Sequence, residues 1–316
     1  MADRKVIAVV GATGAQGGGL VRAILRDETG QFAARALTRN PASDKAQALA
    51  KQGVEVVRAD ADDVQSLARA FAGAHGAFCV TPFWEHMSPE RELAQARNMA
   101  QAARDAGVKH VIWSTLEDTR RWVPLEDPRI PTLGGNYKVP HFDAKGEADQ
   151  QFRNLGVPTT FLLTSFYWDN MIFFGMHPKR GQDGKLGFTL PMGDKKLPGI
   201  AAEDIGKCAL AIFAAGREYV GKTVGIAGEH LSGAEIAGAL GRALGEEVRH
   251  DAMSPAAFRA LGFPGADDLG NMFQVNAEFD REFRAPRDVA ATRALNPALQ
   301  NFETWLARNK DRIPIE

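Results

Sequence analysis

The sequence of 316 residues has two cysteines and a formal net charge of only −1. Cys79 and Cys208 each stand among apolar residues, so we expect both to be buried thiols. A disulfide and a metal site are not expected, and a catalytic cysteine is the alternative. Because the charge is balanced, the chain has no electrostatic footprint for DNA, RNA or an anionic membrane. The composition therefore predicts no direct nucleic-acid partner and no membrane partner.

Long apolar runs and a leader segment are missing as well. No hydrophobic stretch approaches the roughly 20 residues that a membrane-spanning helix needs. Because residues 1–5 lead directly into the first predicted strand, we expect no signal peptide. The hydrophobic share of 45% and the charged share of 24% are typical of a globular protein. We therefore expect a cytoplasmic protein.

What the sequence does have is a glycine-rich turn near its start. Residues 6–10 predict a strand buried on both faces, and helical spacing begins after Gly17. The spacing GxxGxxG between them lets the backbone turn tightly and approach a ligand. Strand, turn and helix N-terminus form an anion site whose natural ligand is a dinucleotide pyrophosphate; a purely structural turn is the alternative. The residues expected to contact the cofactor are Gly11, Ala12, Thr13, Gly14, Ala15, Gln16 and Gly17.

Strand and helix patterns alternate through the first half of the chain. Strands are predicted at 32–38, 54–59, 77–81, 108–113 and 157–163, and helices at 40–53, 62–72, 88–107, 140–155, 202–215 and 232–244. The alternation predicts an α/β fold with a doubly wound parallel sheet. Residues 1–164 are expected to form the dinucleotide-binding domain, joined by elements from about 200–228. Residues 165–316 are expected to form a smaller α+β domain that binds a substrate or partner.

The end of the second predicted strand decides between the two dinucleotides. An NAD site normally carries Asp or Glu there, which binds the ribose 2′-hydroxyl. Here the strand ends in Thr38 and Arg39, and an arginine can hold a 2′-phosphate with two hydrogen bonds. The sequence therefore predicts NADP(H) in preference to NAD(H); a solvated surface arginine is the alternative. Asp44 on the next helix opposes this assignment, and Lys45 offsets it.

Ligands of such sheets bind beyond the carboxyl ends of the strands, which draws attention to two more segments. Asp60 follows the third predicted strand, where a carboxylate can accept a hydrogen bond from the adenine amino group. It is equally suited to cap the third predicted helix, and the sequence leaves both roles open. Residues 81–84 follow the fourth predicted strand and belong to the same edge.

Three residues are candidates for the reacting end of the site. Ser114 closes the fifth predicted strand, and His141 and Lys145 lie four apart on the following helix, hence on one face. Short-chain dehydrogenases use Ser, Tyr and Lys from these elements, with Tyr donating the proton and Lys holding the nicotinamide ribose. Here His141 stands where that Tyr is expected, and Tyr137 falls on a different face. Histidine can act as a general acid near neutral pH; a helix-start residue without a proton role is the alternative.

Several motifs are similar to those of the NmrA-like family. They are residues 9–18 (VVGATGAQGG), 38–41 (TRNP), 141–147 (HFDAKGE), 156–158 (GVP), 261–269 (LGFPGADDL) and 271–273 (NMF). The resemblance covers nearly the whole chain and is greatest to the vertebrate NADPH-sensor members of the family. It implies an atypical short-chain dehydrogenase (Rossmann) fold that binds NADP(H), often without turnover, and that acts as a redox sensor through partner proteins.

The resemblance also implies cofactor contacts, and the sequence departs from the family at two places. The implied contacts are residues 11–16, Arg39, Thr81, Pro82, Phe83, Lys145, Tyr167, Trp168, Asp169 and Asn170. The basic residues that follow the Asn-Pro pair in relatives are replaced by residues 42–44, Ala-Ser-Asp. Ala94 stands where the sensor members have a lysine. Plant reductases of the same broad family also lack the Tyr and depend on lysine.

Two functional hypotheses follow. The missing Tyr and the resemblance favour a non-enzymatic NADP(H) sensor or regulator with a regulatory protein partner. The alternative is an NADPH-dependent reductase of a quinone, enone or phenolic small molecule, which would use Lys145 and His141. It is favoured by aromatic residues that can stack on such a ring or else pack in the core, namely Phe83, Trp84, Tyr167, Trp168 and Phe173. A homodimer is an open expectation.

Overall fold

The structure, a computed structural model, describes residues 4–315. Residues 1–3 lie outside the described residues. They belong to the N-terminal segment on which the prediction about a signal peptide was based. The strands are β1 (Lys5–Val9), β2 (Phe32–Thr38), β3 (Glu55–Arg58), β4 (Gly76–Cys79), β5 (His110–Thr115), β6 (Thr159–Leu163), β7 (Phe166–Tyr167), β8 (Lys179–Arg180), β9 (Leu186–Thr189), β10 (Lys196–Ile200), β11 (Thr223–Gly225), β12 (Glu229–Ser232) and β13 (Val248–Asp251).

The helices follow the strands in alternation through the first half and dominate the C-terminal part. They are α1 (Ala15–Arg26), α2 (Asp44–Lys51), α3 (Val64–Phe71), α4 (Phe83–His86), α5 (Pro89–Asp105), α6 (Pro140–Asn154), α7 (Asn170–Phe173), α8 (Ala202–Ala215), α9 (Gly233–Leu244), α10 (Pro255–Arg259), α11 (Ala266–Glu278), α12 (Asp280–Arg284), α13 (Val289–Leu295) and α14 (Phe302–Asn309). Short 3-10 helices lie at Thr119–Arg121, Gly216–Tyr219 and Lys310–Arg312.

The central sheet has seven strands in the order β11-β6-β5-β4-β1-β2-β3. The pairs from β3 to β6 are parallel, and after the edge strand β3 the chain returns to the middle of the sheet, where β4 pairs with the other side of β1. This order is the doubly wound parallel sheet that the sequence predicts, so the fold class is confirmed. The turns after β1 and β4 therefore meet beside the switch in strand order, the usual position for a nucleotide.

The chain divides into two compact units. Unit 1 comprises the residues through Asp118 together with Ala144–Leu163 and Glu203–Val224, and unit 2 comprises Thr119–Asp143, Thr164–Ala202 and Gly225–Glu316. One core cluster of unit 1 joins side chains of the sheet to α3, α5 and α6, among them Trp113 and Phe152, which stack at 5.0 Å between ring centroids. In unit 1, α8 also packs directly on α1, since a Cβ on Gly206 would lie 2.1 Å from the carbonyl carbon of Gly19.

Unit 2 contains two small sheets and several helices. The sheets have the strand orders β12-β10-β7 and β13-β9-β8, and both mix parallel with antiparallel pairs. The long segment before α6 holds the 3-10 helix Thr119–Arg121 and an antiparallel bridge between Leu133 and Tyr137. Lys138 anchors it, because its ammonium group is fully buried and donates to the carbonyls of Asp127 and Ile130, both at 2.7 Å.

Two helix starts differ from the prediction. Helix α1 begins at Ala15, inside the glycine motif, since Gly14 already serves as its N-cap. Helix α2 begins at Asp44, with Ser43 as N-cap, so the predicted helix start at residue 40 is wrong. The Asn40 side chain instead accepts a hydrogen bond from the Ala42 amide at 3.1 Å, which makes a turn ahead of the helix.

The two cysteines are free and buried, as predicted. Burial raises the pKa of the Cys208 thiol to about 12 and moves the pKa of Cys79 in the same direction. Both thiols are therefore protonated and unreactive at neutral pH, which argues against a catalytic role. Separately, no helix within residues 4–315 combines the length and the apolar composition needed to cross a bilayer.

Candidate cofactor site

The glycine turn after β1 is shaped by two backbone requirements. Gly11 has a φ of +66°, which favours glycine, and its carbonyl accepts from the Gly14 amide at 2.8 Å. A Cβ on Gly17 would lie 2.5 Å from the Gly11 carbonyl oxygen, so the helix can cross the end of β1 only with glycine there. Gly14 has a φ of −92°, which other residues also adopt. Gly11 and Gly17 therefore carry the constraint.

The N-terminus of α1 lies open beside this turn. The N-cap, Gly14, has no side chain that could accept from the first amides, and no acidic residue stands in the first turn. The amides of Ala15 and Gly17 lie in the first turn of the helix, where the backbone offers no intrahelical acceptor. Gly14 and Ala15 are exposed and Ala12 is buried. An anion can approach these amides, so the residues present fit a dinucleotide pyrophosphate.

Arg39 follows β2 at the exposed edge of unit 1. Its guanidinium donates to Glu85 Oε2 at 2.7 Å, and both side chains are more than half exposed. Glu85 lies on α4, directly after the turn that follows β4, so this ion pair joins two of the strand ends where the site is expected. Arg39 thus lies where a phosphate contact is predicted, beside a carboxylate that would compete with that phosphate.

Asp60 does not cap α3. The cap is Asp63, whose Oδ1 accepts from the amides of Gln65 and Ser66 at 3.0 and 3.1 Å. Asp60 Oδ1 accepts from the Asp62 amide at 3.0 Å and forms a turn just before the helix. The capping role left open for Asp60 is therefore wrong, and the adenine contact stays a prediction.

Lys145 is held inside unit 1 by residues from the fourth strand end and from α5. Its Nζ donates to Glu92 Oε1 at 2.6 Å and to Thr81 Oγ1 at 2.7 Å. The ring centroid of Trp113 lies 5.5 Å from the same nitrogen. Glu92 is fully buried, and the Lys145 side chain is 11% exposed. The ammonium group is thus fixed in position while one side of the lysine still reaches the surface.

The carboxylate of Glu92 also faces a histidine. Glu92 Oε1 accepts from the Thr81 hydroxyl as well as from Lys145, whereas Oε2 has no hydrogen-bond partner among the described residues. Oε2 lies 3.7 Å from His86 Nε2. The Ser88 amide donates to His86 Nδ1, so the ring proton is on Nε2, towards Glu92. Burial lowers the pKa of His86, which keeps this imidazole neutral at pH 7.

Helix α6 is clamped against the end of β5 so that Lys145 points into this cluster. The Thr115 hydroxyl contacts the Lys145 carbonyl oxygen at 3.1 Å and Asp149 Oδ1 at 2.7 Å. A Cβ on Gly146 would lie 2.4 Å from the Asp118 amide nitrogen, so the helix approaches the following loop as closely as backbone allows. Ser114 is buried in β5. These contacts fix the position of α6 relative to β5 and thereby the position of the Lys145 side chain.

His141 is bound within unit 2. Its Nδ1 lies 2.6 Å from Asp268 Oδ1, and its backbone amide donates to Asp268 Oδ2 at 3.1 Å. Both residues are buried. Asp268 belongs to the sequence motif at 261–269. Asn271, from the motif that follows it, donates to the carbonyls of Pro131 and Lys138 at 2.8 and 2.6 Å. His141 and Lys145 share α6, as predicted, but each has its own acidic partner.

Four further predicted contacts lie in unit 2. Tyr167 ends β7, and its hydroxyl is 3.3 Å from Thr164 Oγ1. Trp168 is buried against Phe302 and Trp305, at centroid distances of 5.4 and 6.3 Å. Asp169 Oδ2 accepts from the Ala202 amide at 2.9 Å, and Asn170 begins α7. Trp168 thus packs in the core of this unit, and the cofactor contacts of the four residues stay predictions.

The remaining aromatic candidates differ in their exposure to solvent. Phe83 is buried and lies edge-on to Trp84 at 5.6 Å and to His86 at 5.8 Å. Phe173 is 64% exposed, with the Arg312 guanidinium 5.5 Å from its ring. Phe83 and Trp84 therefore belong to the segment beside Thr81 and Pro82 in unit 1, while Phe173 offers an open face.

Sequence reasoning missed the acidic partners of this site. Glu92 and Glu85 carry no spacing signal, since the segment from 85 to 92 contains three glutamates and two are exposed. The burial of Glu92 alone among them becomes visible only in the structure. Asp268 lies 127 positions from His141, and no local pattern connects them.

The sequence pattern of the NmrA-like family matches residues 3–306. The chain belongs to this family. Among curated NmrA-like relatives, the oxidoreductase FrzB of a Cladobotryum species is 28% identical, over 92% of this chain and 89% of the relative. The NAD(P)H azoreductase of Xenophilus azovorans is 30% identical, over 85% of this chain and 87% of the relative. These relatives do not support the expected greater likeness to vertebrate sensor members.

Solved structures extend the comparison to cofactor complexes. The negative transcriptional regulator NmrA in complex with NADP superposes with a TM-score of 0.78 at 25% identity, covering 96% of this chain and 94% of that chain. Its complex with NAD gives a TM-score of 0.79 at the same identity. The structural neighbours of this NmrA-like chain thus include complexes with both dinucleotides.

Proposed function

We propose that this protein binds NADP(H) through unit 1 and acts as a sensor or regulator of the NADPH/NADP balance, with weak or no dehydrogenase activity. One observation supports the proposal: unit 1 contains both the exposed glycine turn at residues 11–17 and the fixed, buried Lys145, but the position four residues before Lys145 has no tyrosine that could donate a proton. His141 stands where that tyrosine is expected. The site is therefore equipped to hold a dinucleotide more evidently than to move a proton.

Three groups of the cofactor, the pyrophosphate, the 2′-phosphate and the nicotinamide ribose, have a proposed contact in unit 1. The amides of Ala15, Gln16 and Gly17 hold the pyrophosphate, and Arg39 holds the 2′-phosphate. Lys145 holds the nicotinamide ribose hydroxyls in exchange for its longest contact, the one at 3.4 Å to the Thr81 carbonyl oxygen. Preference for NADP(H) over NAD(H) rests on Arg39 and on the absence of an acidic residue at the end of β2.

A second candidate function is an NADPH-dependent reductase of the atypical short-chain dehydrogenase type. The 30% identical azoreductase supports it, as does the buried pair of His141 and Asp268, which fixes the imidazole orientation in the manner of a general acid. The bound dinucleotide would supply a hydride. Lys145 would orient the ribose, and His141 or a lysine-bound water would supply the proton. Quinones, enones and azo or phenolic compounds are the substrate classes that the aromatic residues suit.

Titration calorimetry with NADPH, NADP⁺, NADH and NAD⁺, run beside a turnover panel, tests both candidates. The sensor proposal expects saturable binding, tighter for the phosphorylated cofactors, and no NADPH oxidation above background with quinones, enones or azo dyes. A Lys145→Met variant should weaken binding of all four dinucleotides. Robust reduction of any substrate by the parent protein would overturn the sensor proposal in favour of the reductase.

A further inference from the structure

We infer that Glu92 determines how strongly the site distinguishes NADPH from NADP⁺, by neutralising the buried charge of Lys145. This inference rests on the proposed function, because it needs Lys145 at the nicotinamide ribose. It goes further in assigning the redox selectivity of binding to a residue outside the expected contacts.

The argument begins with the charge of the nicotinamide ring. The ring is positively charged in NADP⁺ and uncharged in NADPH, so a fixed charge beside it separates the two forms. An isolated ammonium group at that position would repel the positive ring of NADP⁺ and would not repel the uncharged ring of NADPH. Burial strengthens such an interaction, because the effective dielectric constant is lower than in water and salt screens it less.

Glu92 removes most of that repulsion. Its carboxylate lies 2.6 Å from Lys145 Nζ and is fully buried, so the two charges act on their surroundings as a nearly neutral pair. The position of Glu92 in the first turns of α5 favours the anion, because the helix N-terminus is the positive end of the dipole. The Thr81 hydroxyl donates to the same oxygen and fixes the geometry.

The other charged and titratable groups around the pair leave this balance intact. His86 faces the second oxygen of Glu92 and is neutral, while Arg91 and Asp62 form an ion pair with each other at the exposed start of α5. Asp149 lies one turn after Lys145 and is bound by Trp113 and Thr115. Lys145 and Glu92 are thus the cation and anion whose balance a single substitution can break.

The decisive variant is Glu92→Gln, which keeps the shape and an acceptor for Lys145 but deletes the negative charge. We expect the ratio of the dissociation constants, Kd for NADP⁺ over Kd for NADPH, to rise about tenfold, the effect of one unit charge on another at roughly 10 Å in a partly buried site. Glu90→Gln is the matched control, because Glu90 is exposed on the same helix and its charge is screened. The ratio should not change in that variant.

A charge-neutral double variant completes the test. Lys145→Met with Glu92→Gln removes both charges, so binding should be weaker than in the parent while the ratio stays at the parent value. If Glu92→Gln does not fold, which thermal unfolding will show, Lys145→Met alone replaces it. That variant leaves the buried Glu92 carboxylate without its cation, so the ratio should fall below the parent value, and an unchanged ratio would overturn the inference. A ratio unchanged in Glu92→Gln, or altered in the double variant, overturns the inference.

The outcomes also separate this inference from the proposed function. Dissociation constants that Lys145→Met leaves unchanged would remove Lys145 from the cofactor site, and the proposed function would fail together with the inference. Constants that Lys145→Met weakens, combined with an unchanged ratio in Glu92→Gln, would leave the proposed function in place and make Glu92 a structural residue only.

Discussion

Arg39 and Glu85 form an ion pair at 2.7 Å, so the arginine expected to bind the 2′-phosphate already has an anionic partner. Both side chains are largely exposed, and such a pair stabilises a protein by about 0.2–1 kcal/mol. A 2′-phosphate that binds Arg39 must displace or share this carboxylate. Glu85 therefore acts against the NADP preference that Arg39 provides.

Removing that carboxylate should improve NADP(H) binding. In Glu85→Gln the guanidinium no longer has this carboxylate as a partner, so we expect an affinity gain of about two- to fivefold, the scale of an exposed ion pair. NAD(H) affinity should stay constant. Calorimetric titration with both cofactors measures this, and an equal gain for NAD(H) would show that Glu85 acts on the shape of the site instead.

Arg39→Ala tests the preference from the other side. The loss should be about 1.5–3 kcal/mol of NADP(H) binding free energy, the scale of a hydrogen bond to a charged group. NAD(H), which has no 2′-phosphate, should bind as before. Equal losses for the two cofactors would move Arg39 from specificity to folding or to the pyrophosphate.

The glycine turn should be least tolerant at Gly17. Gly17→Ala places a Cβ 2.5 Å from the Gly11 carbonyl oxygen, so the helix must shift, at a cost of roughly 1–3 kcal/mol in stability and with loss of NADPH binding. Gly14→Ala is the matched control, since its Cβ would lie 3.2 Å from the same oxygen with φ negative. Thermal unfolding and NADPH titration should rank Gly17→Ala as the more damaged variant. The opposite order would contradict the constraint assigned to Gly17.

Asp149 should make the stability of the protein depend on pH. Burial raises its pKa to about 7, above the value of an exposed carboxyl group, while Trp113 and Thr115 donate to it. A raised pKa means that the folded state binds the proton more tightly, so this contribution is complete in acid and is lost as the pH rises towards 7. Asp149→Asn keeps the acceptor without the charge. The free energy of unfolding of the variant relative to the parent should therefore increase between pH 5 and 8, by about 3 kcal/mol at most. A constant difference in urea unfolding would contradict this.

His141 separates the two proposed functions. If the protein is a sensor, His141→Phe should leave the NADPH affinity nearly unchanged, and NADPH oxidation should stay at background in the parent and in the variant. If it is a reductase, removal of the general acid should slow the chemical step by about 10²–10⁴-fold. Because His141→Phe also leaves Asp268 without its partner, His141→Phe combined with Asp268→Asn is the control for stability. Reduction that survives both variants but not Lys145→Met would transfer the proton role to lysine or to a water bound by it.

The local signals of the sequence were sufficient for the elements and for the turn. The predicted start of α5 at Ser88-Pro89 and the predicted helix Ala202–Ala215 are confirmed. Both could be predicted because helix caps and periodicity depend only on residues that are close together in the sequence. The GxxGxxG spacing located the turn but not the residue under the tightest constraint. Gly14 and Gly17 look alike in sequence, and only the crossing of α1 over Gly11 distinguishes them.

The partners of the site could not be predicted because they depend on packing. Glu92 pairs with Lys145 across 53 positions, and Asp268 with His141 across 127. Nothing in the first turns of α5 indicates which glutamate is buried. The same limit applies to Arg39, whose place after β2 was predicted while its contact with Glu85 was not.

The close packing of Gly206 on Gly19 has a consequence for synthesis of the chain. Helix α8 belongs to unit 1, yet more than 170 positions separate it from α1, so a nascent chain that has just completed β6 lacks both this helix and the edge strand β11. Unit 1 therefore reaches its final form only after the first two segments of unit 2 have been synthesised. No single cleavage of the polypeptide can release it intact, because its three segments alternate with those of unit 2.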